Sequence, residues 1–251
     1  MINIKSKAEV EMMRAACEIV MGALTLAGTM VRPGIDTKSI DRKIREYIEK
    51  QGATPSFLGY NGFPASACIS LNSEVIHGIP SEKVILHEGD LVKIDVGAIY
   101  KGWHGDCADS FFCGGETAAK PGAVDLYKAA REAFYAGTAA ANPGNRIGDL
   151  SNAIQTRVEK SGFSVVRKWC GHGIGREMHE DPSVPNFGAA GKGVRLSAGM
   201  TLAVEPMINI GGHDVEVGED EWTVYTADRS LSAHFERTVY IGENGCEVLA
   251  G

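Results

Sequence analysis

The chain has six cysteines among its 251 residues and not one C-x-x-C pair. Cys17, Cys68, Cys107, Cys113, Cys170 and Cys246 are scattered, which excludes a thiolate zinc site and the disulfide framework on which small secreted domains depend. They are expected to be buried or semi-buried thiols in a reducing, cytoplasmic compartment. Positive charge is also short. Lys and Arg number 25 against 32 Asp and Glu, a net charge of −7, so no general basic surface for nucleic acid or anionic membrane is expected. Long apolar runs are missing as well. The longest, Ile19 to Val31, contains Gly and Thr and stops at Arg32, short of the roughly 20 residues that span a bilayer, so it predicts a core helix. A phosphate-binding glycine loop is absent: "GHGIG" at residues 171–175 lacks the G-x-G-x-x-G spacing and no Lys follows. A secretory signal is not expected either. Glu9 and Glu11 interrupt the N-terminal lysines and "SKAE" from Ser6 has the form of a helix capping box, so the mature chain is expected to begin near Met1.

What is present is ordinary for a globular protein: 44% hydrophobic and 23% charged residues, in a chain long enough for one large domain or a pair of fused halves. The stretch "VKIDVGAIYKGWHGDCADSFF", Val92 to Phe112, predicts two strands around a turn. Yet Asp95 interrupts the first apolar run and Asp106 heads the second. A charge buried there without a partner costs several kcal/mol or is held neutral. Something positive is expected nearby.

The sequence also repeats itself. Pro33-Gly34 recurs as Pro143-Gly144, a shift of 143 − 33 = 110. Each pair precedes an amphipathic helix pattern, "DTKSIDRKIREYIEKQG" and "IGDLSNAIQTRVEKSG", ending at Gly52 and Gly162, again 110 apart. "LHEGDLVKID" aligns with "LSAGMTLAVE" in the same register, which pairs Asp95 with Glu205. Three blocks in one register predict duplicated α+β halves, and the period is too long for a solenoid. Such halves would bring both acid-bearing strands into one sheet facing a groove, with helices behind.

The other polar residues fall in matching places: His77 in "VIHGIP", His172 and His179 in "CGHGIGREMHE", and Glu236 in "LSAHFERTVYIG". Singly, each is more ordinary as a turn cap or a hydrogen-bonded core residue. Together, two Asp, two Glu and one His form an oxygen-rich set with one imidazole. Such a set suits a pair of divalent first-row ions better than a closed structural zinc site. Paired ions of this kind are used for hydrolysis, because together they acidify a shared water. The cluster "FLGYNGFPASAC", Phe57 to Cys68, reads either as core or as a pocket for a flexible apolar side chain.

The order His77, Asp95, Asp106, His172, His179, Glu205, Glu236, with "HGIP", "GWHGD", "GHGIG", "MHE", "VEP" and "FERT", closely resembles the methionine aminopeptidases of the creatinase-like pita-bread family. The resemblance runs over nearly the whole chain. It is to the short type I form, because the interval from His179 to Glu205 leaves no room for a helical insertion. Neither a zinc-finger extension nor an extra N-terminal domain is expected. The resemblance implies an α+β pita-bread fold, two pseudo-symmetric halves forming a curved antiparallel sheet covered by helices. It also implies a single catalytic domain over residues 1–251 with halves of approximately 1–115 and 116–251.

By the same resemblance Asp95 and Asp106 hold one metal, His172 and Glu205 the other, and Asp106 and Glu236 bridge both. The metals are two divalent ions, manganese, iron(II), cobalt or zinc. A bridging hydroxide attacks the first peptide bond, Glu205 shuttles the proton to the leaving amine, His179 stabilises the oxyanion, and His77 contacts the peptide beyond the scissile bond. Binding of the free α-amine to a metal restricts removal to the terminal residue. The methionine pocket maps onto Tyr60, Phe63, Cys68, Met178 and Trp222. Met178, Phe57 and "GYNGFP" depart from the residues usual in bacterial relatives, which bears on the pocket's finer shape. "SLN" around Asn72, with Ser232, lies near a monovalent-cation site in the family.

The implied function is co-translational removal of the initiator methionine from nascent chains with a small second residue. It would be carried out by a cytoplasmic monomer that meets the ribosome transiently and acts on neither nucleic acid nor membrane. Two rivals are an X-Pro peptidase of the same fold, whose members usually bring a separate N-terminal domain, and a catalytically dead binding domain, which would have lost ligands that this chain keeps.

Overall fold

The hairpin predicted over Val92 to Phe112 forms. Leu91–Tyr100 and Trp103–Phe112 run antiparallel, in register from Leu91 opposite Phe112 to Tyr100 opposite Trp103. Lys101 and Gly102, at φ +50° and +79°, make the two-residue turn whose left-handed geometry matches the twist of paired strands. Side chains alternate across the strand. Val92, Ile94, Val96 and Ala98 are buried on one face. Lys93, Asp95 and Gly97 therefore share the other.

Four α-helices cover the apolar face among the described residues, which in this computed structural model are 2–249. Met1, the expected start of the mature chain, and the last two residues lie outside them. The helix expected from Ile19 to Val31 is the second half of α1 (Lys7–Met30), which opens on the predicted capping box: Ser6 and Glu9 bond each other's backbone N–H. The helix passes so close to the second hairpin strand that a Cβ on Gly105 would lie 2.6 Å from the Cys17 backbone nitrogen. Helix α2 (Thr37–Lys50) adds Ile40, Ile44 and Ile48, spaced one turn apart and fully buried, each contributing roughly 1.5–3 kcal/mol of burial. With Val20 and Leu24 they pack on Ile94, Val96 and Cys107. Helices α3 (Ala123–Ala140) and α4 (Ile147–Lys160) do the same for the second half, through Leu126, Phe134, Leu150 and Ile154 against Leu202, Val204 and Val239.

The repeat is visible in individual hydrogen bonds. Helices α2 and α4 begin and end 110 residues apart, as do the ends of α1 and α3. The Gly34 N–H donates to the Leu86 carbonyl at 2.9 Å, and the Gly144 N–H donates to the Leu196 carbonyl at 2.9 Å. Thr37 to Val84 and Ile147 to Val194 repeat the pattern at 3.0 and 2.9 Å. Gly34 and Gly144, at φ +87° and +95°, hold the left-handed conformation that makes glycine the favoured residue at this turn. Equivalent tethers thus hold the entrance of each helix to the segment that leads into Leu91–Tyr100 or Thr201–Val204.

Within the described residues nine strands form one curled antiparallel sheet. Its centre runs from Leu91–Tyr100 through Trp103–Phe112, Glu236–Gly242 and Thr201–Val204 to Gly171–Gly173. Strands from both halves therefore lie side by side. No described helix is long and apolar enough to cross a membrane.

Candidate active site

Register places the predicted acids. One row across the sheet reads Asp95, Ala108, Glu236; the adjacent row reads Gly97, Asp106, Thr238, Ala203, His172. Residues directly opposite in paired strands share a face, so Asp95, Asp106, Glu236 and His172 all project from the side away from the helices. Glu205 follows immediately after its strand, Thr201–Val204, and on the same parity. The small residues Gly97, Ala108 and Ala203 leave room between the acids. Asp106 is fixed further by Thr238, which accepts from its backbone N–H at 3.1 Å and donates to its carbonyl at 2.9 Å.

Among the described residues these acids have no cationic side chain between them. Asp109, in the same hairpin but of opposite parity to Asp106, shows the contrast: Arg237 and the Tyr127 hydroxyl both bond it, at 2.8 and 2.6 Å. Asp95 Oδ1, Asp106 Oδ1 and Glu236 Oε1 are buried without any partner. Burial pushes all four carboxyls up, and mutual repulsion adds to it for Asp106, Glu205 and Glu236: Asp95 reaches about 7, Glu205 about 8, and Asp106 and Glu236 rise well above their ordinary values. His172 does not compensate, because burial first and His179 second hold it down at about 4. Its Nδ1–H donates to the Gly173 carbonyl at 2.8 Å, which leaves the Nε2 lone pair facing Asp106 Oδ2 and Glu205 Oε1, both at 3.8 Å. An imidazole oriented by a backbone carbonyl, with carboxyl oxygens of two acids facing its free nitrogen, is the preparation a metal ligand receives. Asp106, His172 and Glu236 present donor atoms within 4.8 Å of one another, and Asp95, His234 and Glu236 form a second such group. The donor set fits divalent ions. Such ions are also the positive charge that the two strand aspartates call for.

Above the acids lies a cavity of about 420 Å³. Every residue predicted for the site lines it: Tyr60, Phe63, Cys68, His77, Met178, His179 and Trp222 as well as the four acids and His172. Cys68 stands directly opposite Asp95 in the pairing of Ala67–Leu71 with the first hairpin strand, so the apolar compartment begins where the carboxylates end. Phe57, Phe63, Cys68 and Met178 belong to one buried cluster, with Tyr60 and Trp222 at its margin. His179 is held by the Tyr60 hydroxyl, Oη to Nδ1 2.8 Å, with its ring 4.2 Å from that of His172. Burial lowers His179 and raises Tyr60; with the tyrosine donating, the ring proton of His179 resides on Nε2. His77, at φ +61°, packs edge-on against Trp169 and Trp222 at centroid distances of 5.1 and 6.5 Å.

The signature of Metallopeptidase family M24 matches residues 11–243. The chain belongs to this metallopeptidase family. Among M24 relatives, the methionine aminopeptidase of Clostridium acetobutylicum is 49% identical over 251 residues, covering 99% of this chain and 98% of that one. Methionine aminopeptidase 1 of Bacillus subtilis is 44% identical, covering 99% of each. The crystal structure of methionine aminopeptidase from Thermotoga maritima superposes with a TM-score of 0.96 at 42% identity, covering 99% of both chains. Prolidase from Pyrococcus furiosus gives a TM-score of 0.80 at 25% identity, covering 99% of this chain but 65% of that one. The M24 architecture is the expected pita-bread fold, and the family implies a divalent metal.

The sequence reading missed three features of this M24 site. Trp169 and Cys170 line the cavity, and His234, 1% exposed, stands among the acids with Nε2 3.7 Å from Glu236 Oε2 and 3.8 Å from Glu205 Oε2. The sole signal for His234 is its place two residues before Glu236. Lys93 is the third. The position expected for a monovalent cation near Asn72 and Ser232 holds the Lys93 ammonium, 2% exposed, donating to the Asn72 carbonyl at 2.8 Å. The Ser232 N–H shares that carbonyl at 3.0 Å. Burial draws Lys93 down to about 7 while Glu74 opposes the shift.

Proposed function

We propose that the chain is a methionine aminopeptidase that removes the initiator methionine from polypeptides with a small second residue. The observation that carries this reading is the junction of two compartments: orphaned carboxylates on the sheet, and an apolar cavity of aromatic and sulfur side chains opening directly onto them. A methionine side chain is flexible and polarisable, and Met178, Cys68, Phe63 and Tyr60 are suited to pack around it. The carboxylates attract a free α-amine. Together these select the first residue of a chain.

In this reading Asp95, Asp106, His172, Glu205 and Glu236 hold two divalent ions, drawn from manganese, iron(II), cobalt or zinc. When bound, the ions supply a water acidified to near neutrality as the nucleophile. Glu205 receives the proton at its carboxylate oxygen and returns it to the leaving amine. His179, neutral and carrying its proton on Nε2, donates to the carbonyl oxygen as negative charge develops there. His77 holds the peptide on the far side of the scissile bond, braced by Trp169 and Trp222. Near Asn72 and Ser232 the Lys93 amine already donates to the Asn72 carbonyl, so a monovalent ion is not part of the reading. The whole of residues 1–251 acts as one catalytic domain, a cytoplasmic monomer that meets nascent chains at the ribosome.

The test is hydrolysis of Met-Ala-Ser and Ala-Pro-type peptides by metal-stripped protein titrated with manganese, iron(II) and cobalt. Metal-dependent release of free methionine, with no turnover of the proline peptide, is the expected result. Turnover of the proline peptide moves the assignment to an X-Pro peptidase, and metal binding without turnover of either leaves a binding role.

A further inference from the structure

We propose that His234 is a sixth metal ligand, placing an imidazole on each side of the acid cluster. The inference rests on the two-ion reading above and changes the donor set of one ion from all oxygen to oxygen plus nitrogen.

Four observations carry it. His234 is nearly inaccessible at 1% exposure, and its backbone is pinned: the N–H donates to Ser110 Oγ at 3.2 Å and the carbonyl accepts from the same hydroxyl at 2.8 Å. The strand Ser232–His234 pairs with Met207–Asn209, setting His234 opposite Met207, so neither strand nor side chain has freedom to swing elsewhere. Its Nε2 has no hydrogen-bond partner. The nearest acid oxygens, at 3.7 and 3.8 Å, are beyond hydrogen-bond reach. Finally, Asp95, His234 and Glu236 converge within 4.8 Å, as Asp106, His172 and Glu236 do, with Glu236 common to both groups. Glu236 then stands between two three-residue cradles, each with one Asp and one His.

A buried ring nitrogen facing carboxylate oxygens at this distance is costly unless something lies between them. A divalent ion satisfies all three at once. Its consequence is selectivity: adding imidazole to a carboxylate set favours cobalt, iron, nickel and zinc over manganese and magnesium.

The test uses the full chain labelled with 15N-histidine, stripped of metal and titrated with zinc while the imidazole nitrogens are followed by long-range 1H–15N correlation. Two imidazoles are expected to move to the metal-bound range, one absent from His172→Gln and the other from His234→Gln. His234→Gln is further expected to weaken one of two zinc-binding steps at least ~10-fold, with a smaller loss for manganese. If His234→Gln does not fold, a zinc-shifted imidazole must survive in the His172→Gln/His179→Gln double variant. Movement of His172 alone overturns the proposal while sparing the two-ion reading. Absence of zinc binding overturns both.

Discussion

Replacing Glu205 by Gln in metal-free protein tests the electrostatics of the site apart from its chemistry. Gln has the shape of the protonated acid and cannot ionise. The Glu205 carboxyl is raised from 4.5 to about 8, mainly by burial and then by Asp95, and its side chain is only 12% exposed, so solvent screening removes little of the effect. Between those two values the folded state holds a proton that the unfolded state has lost. Stability of the wild type therefore falls as pH rises through the window, by about 1.4 kcal/mol per pH unit, and levels off above the folded value. From about pH 5.5 to about pH 7.5 the wild type loses about 2.5 kcal/mol that the variant keeps. For a chain of this size that is about 5–10 °C in melting temperature. Urea unfolding of both proteins at both pH values gives the double difference, in which contributions from groups remote from Glu205, such as His77 and Lys93, cancel. The variant is expected to become the more stable protein with rising pH when stripped, and the less stable when saturated with metal, because it has then lost an anionic ligand. Parallel pH curves for the two stripped proteins would refute the reasoning, since Glu205 would then be ionised throughout and neutralised by a protein group.

Asp106→Asn is expected to abolish metal-dependent turnover while preserving the near-ultraviolet circular dichroism of the fold, because it removes one of the mutually repelling acids. His179→Gln should lower kcat about 10²–10³-fold with little change in KM, measured on a methionyl tripeptide, if its proton serves the developing oxyanion. Metal uptake near neutral pH should release protons from Asp95 and Glu205, seen calorimetrically as a binding enthalpy that changes with the ionisation enthalpy of the buffer; a buffer-independent enthalpy contradicts the raised carboxyls. Gly105→Ala places a Cβ 2.6 Å from the Cys17 nitrogen and 2.8 Å from the Ala16 carbonyl carbon, both backbone atoms of α1. It should destabilise by about 1–3 kcal/mol or more in urea unfolding, with activity lost through the shift of neighbouring Asp106.

Much of this protein is written in local pattern. The capping box at Ser6 and Glu9, the amphipathic spacing of Ile40, Ile44 and Ile48, and the Lys101-Gly102 turn are each specified by neighbours within a few residues, and each forms as expected. The 110-residue register carried the reading further, because duplicated halves fold to duplicated hydrogen bonds, down to Gly34 and Gly144. It also pairs Asp95 with Glu205. Asp95 and Asp106 were legible as out-of-place charges, since burying an ionised carboxylate in a strand demands a partner that the hairpin itself does not contain.

Tertiary structure decided what depends on the pairing of remote strands. The rows that set Asp95 beside Ala108 and Glu236, and Asp106 beside Thr238, Ala203 and His172, arise from registers between segments more than a hundred residues apart in places, and no local periodicity encodes them. His234 illustrates the point. In sequence it is one polar residue in a β-rich run, and only the closing of the Ser232–His234 strand against Met207–Asn209 aims its free nitrogen at Glu205 and Glu236. Lys93 is the same case on the same face of the sheet, an ordinary strand lysine until Asn72 and Ser232 are folded over it. Sequence fixes which chemical groups a strand offers and on which face; the free energy of packing strands from both halves into one sheet determines which of those groups meet.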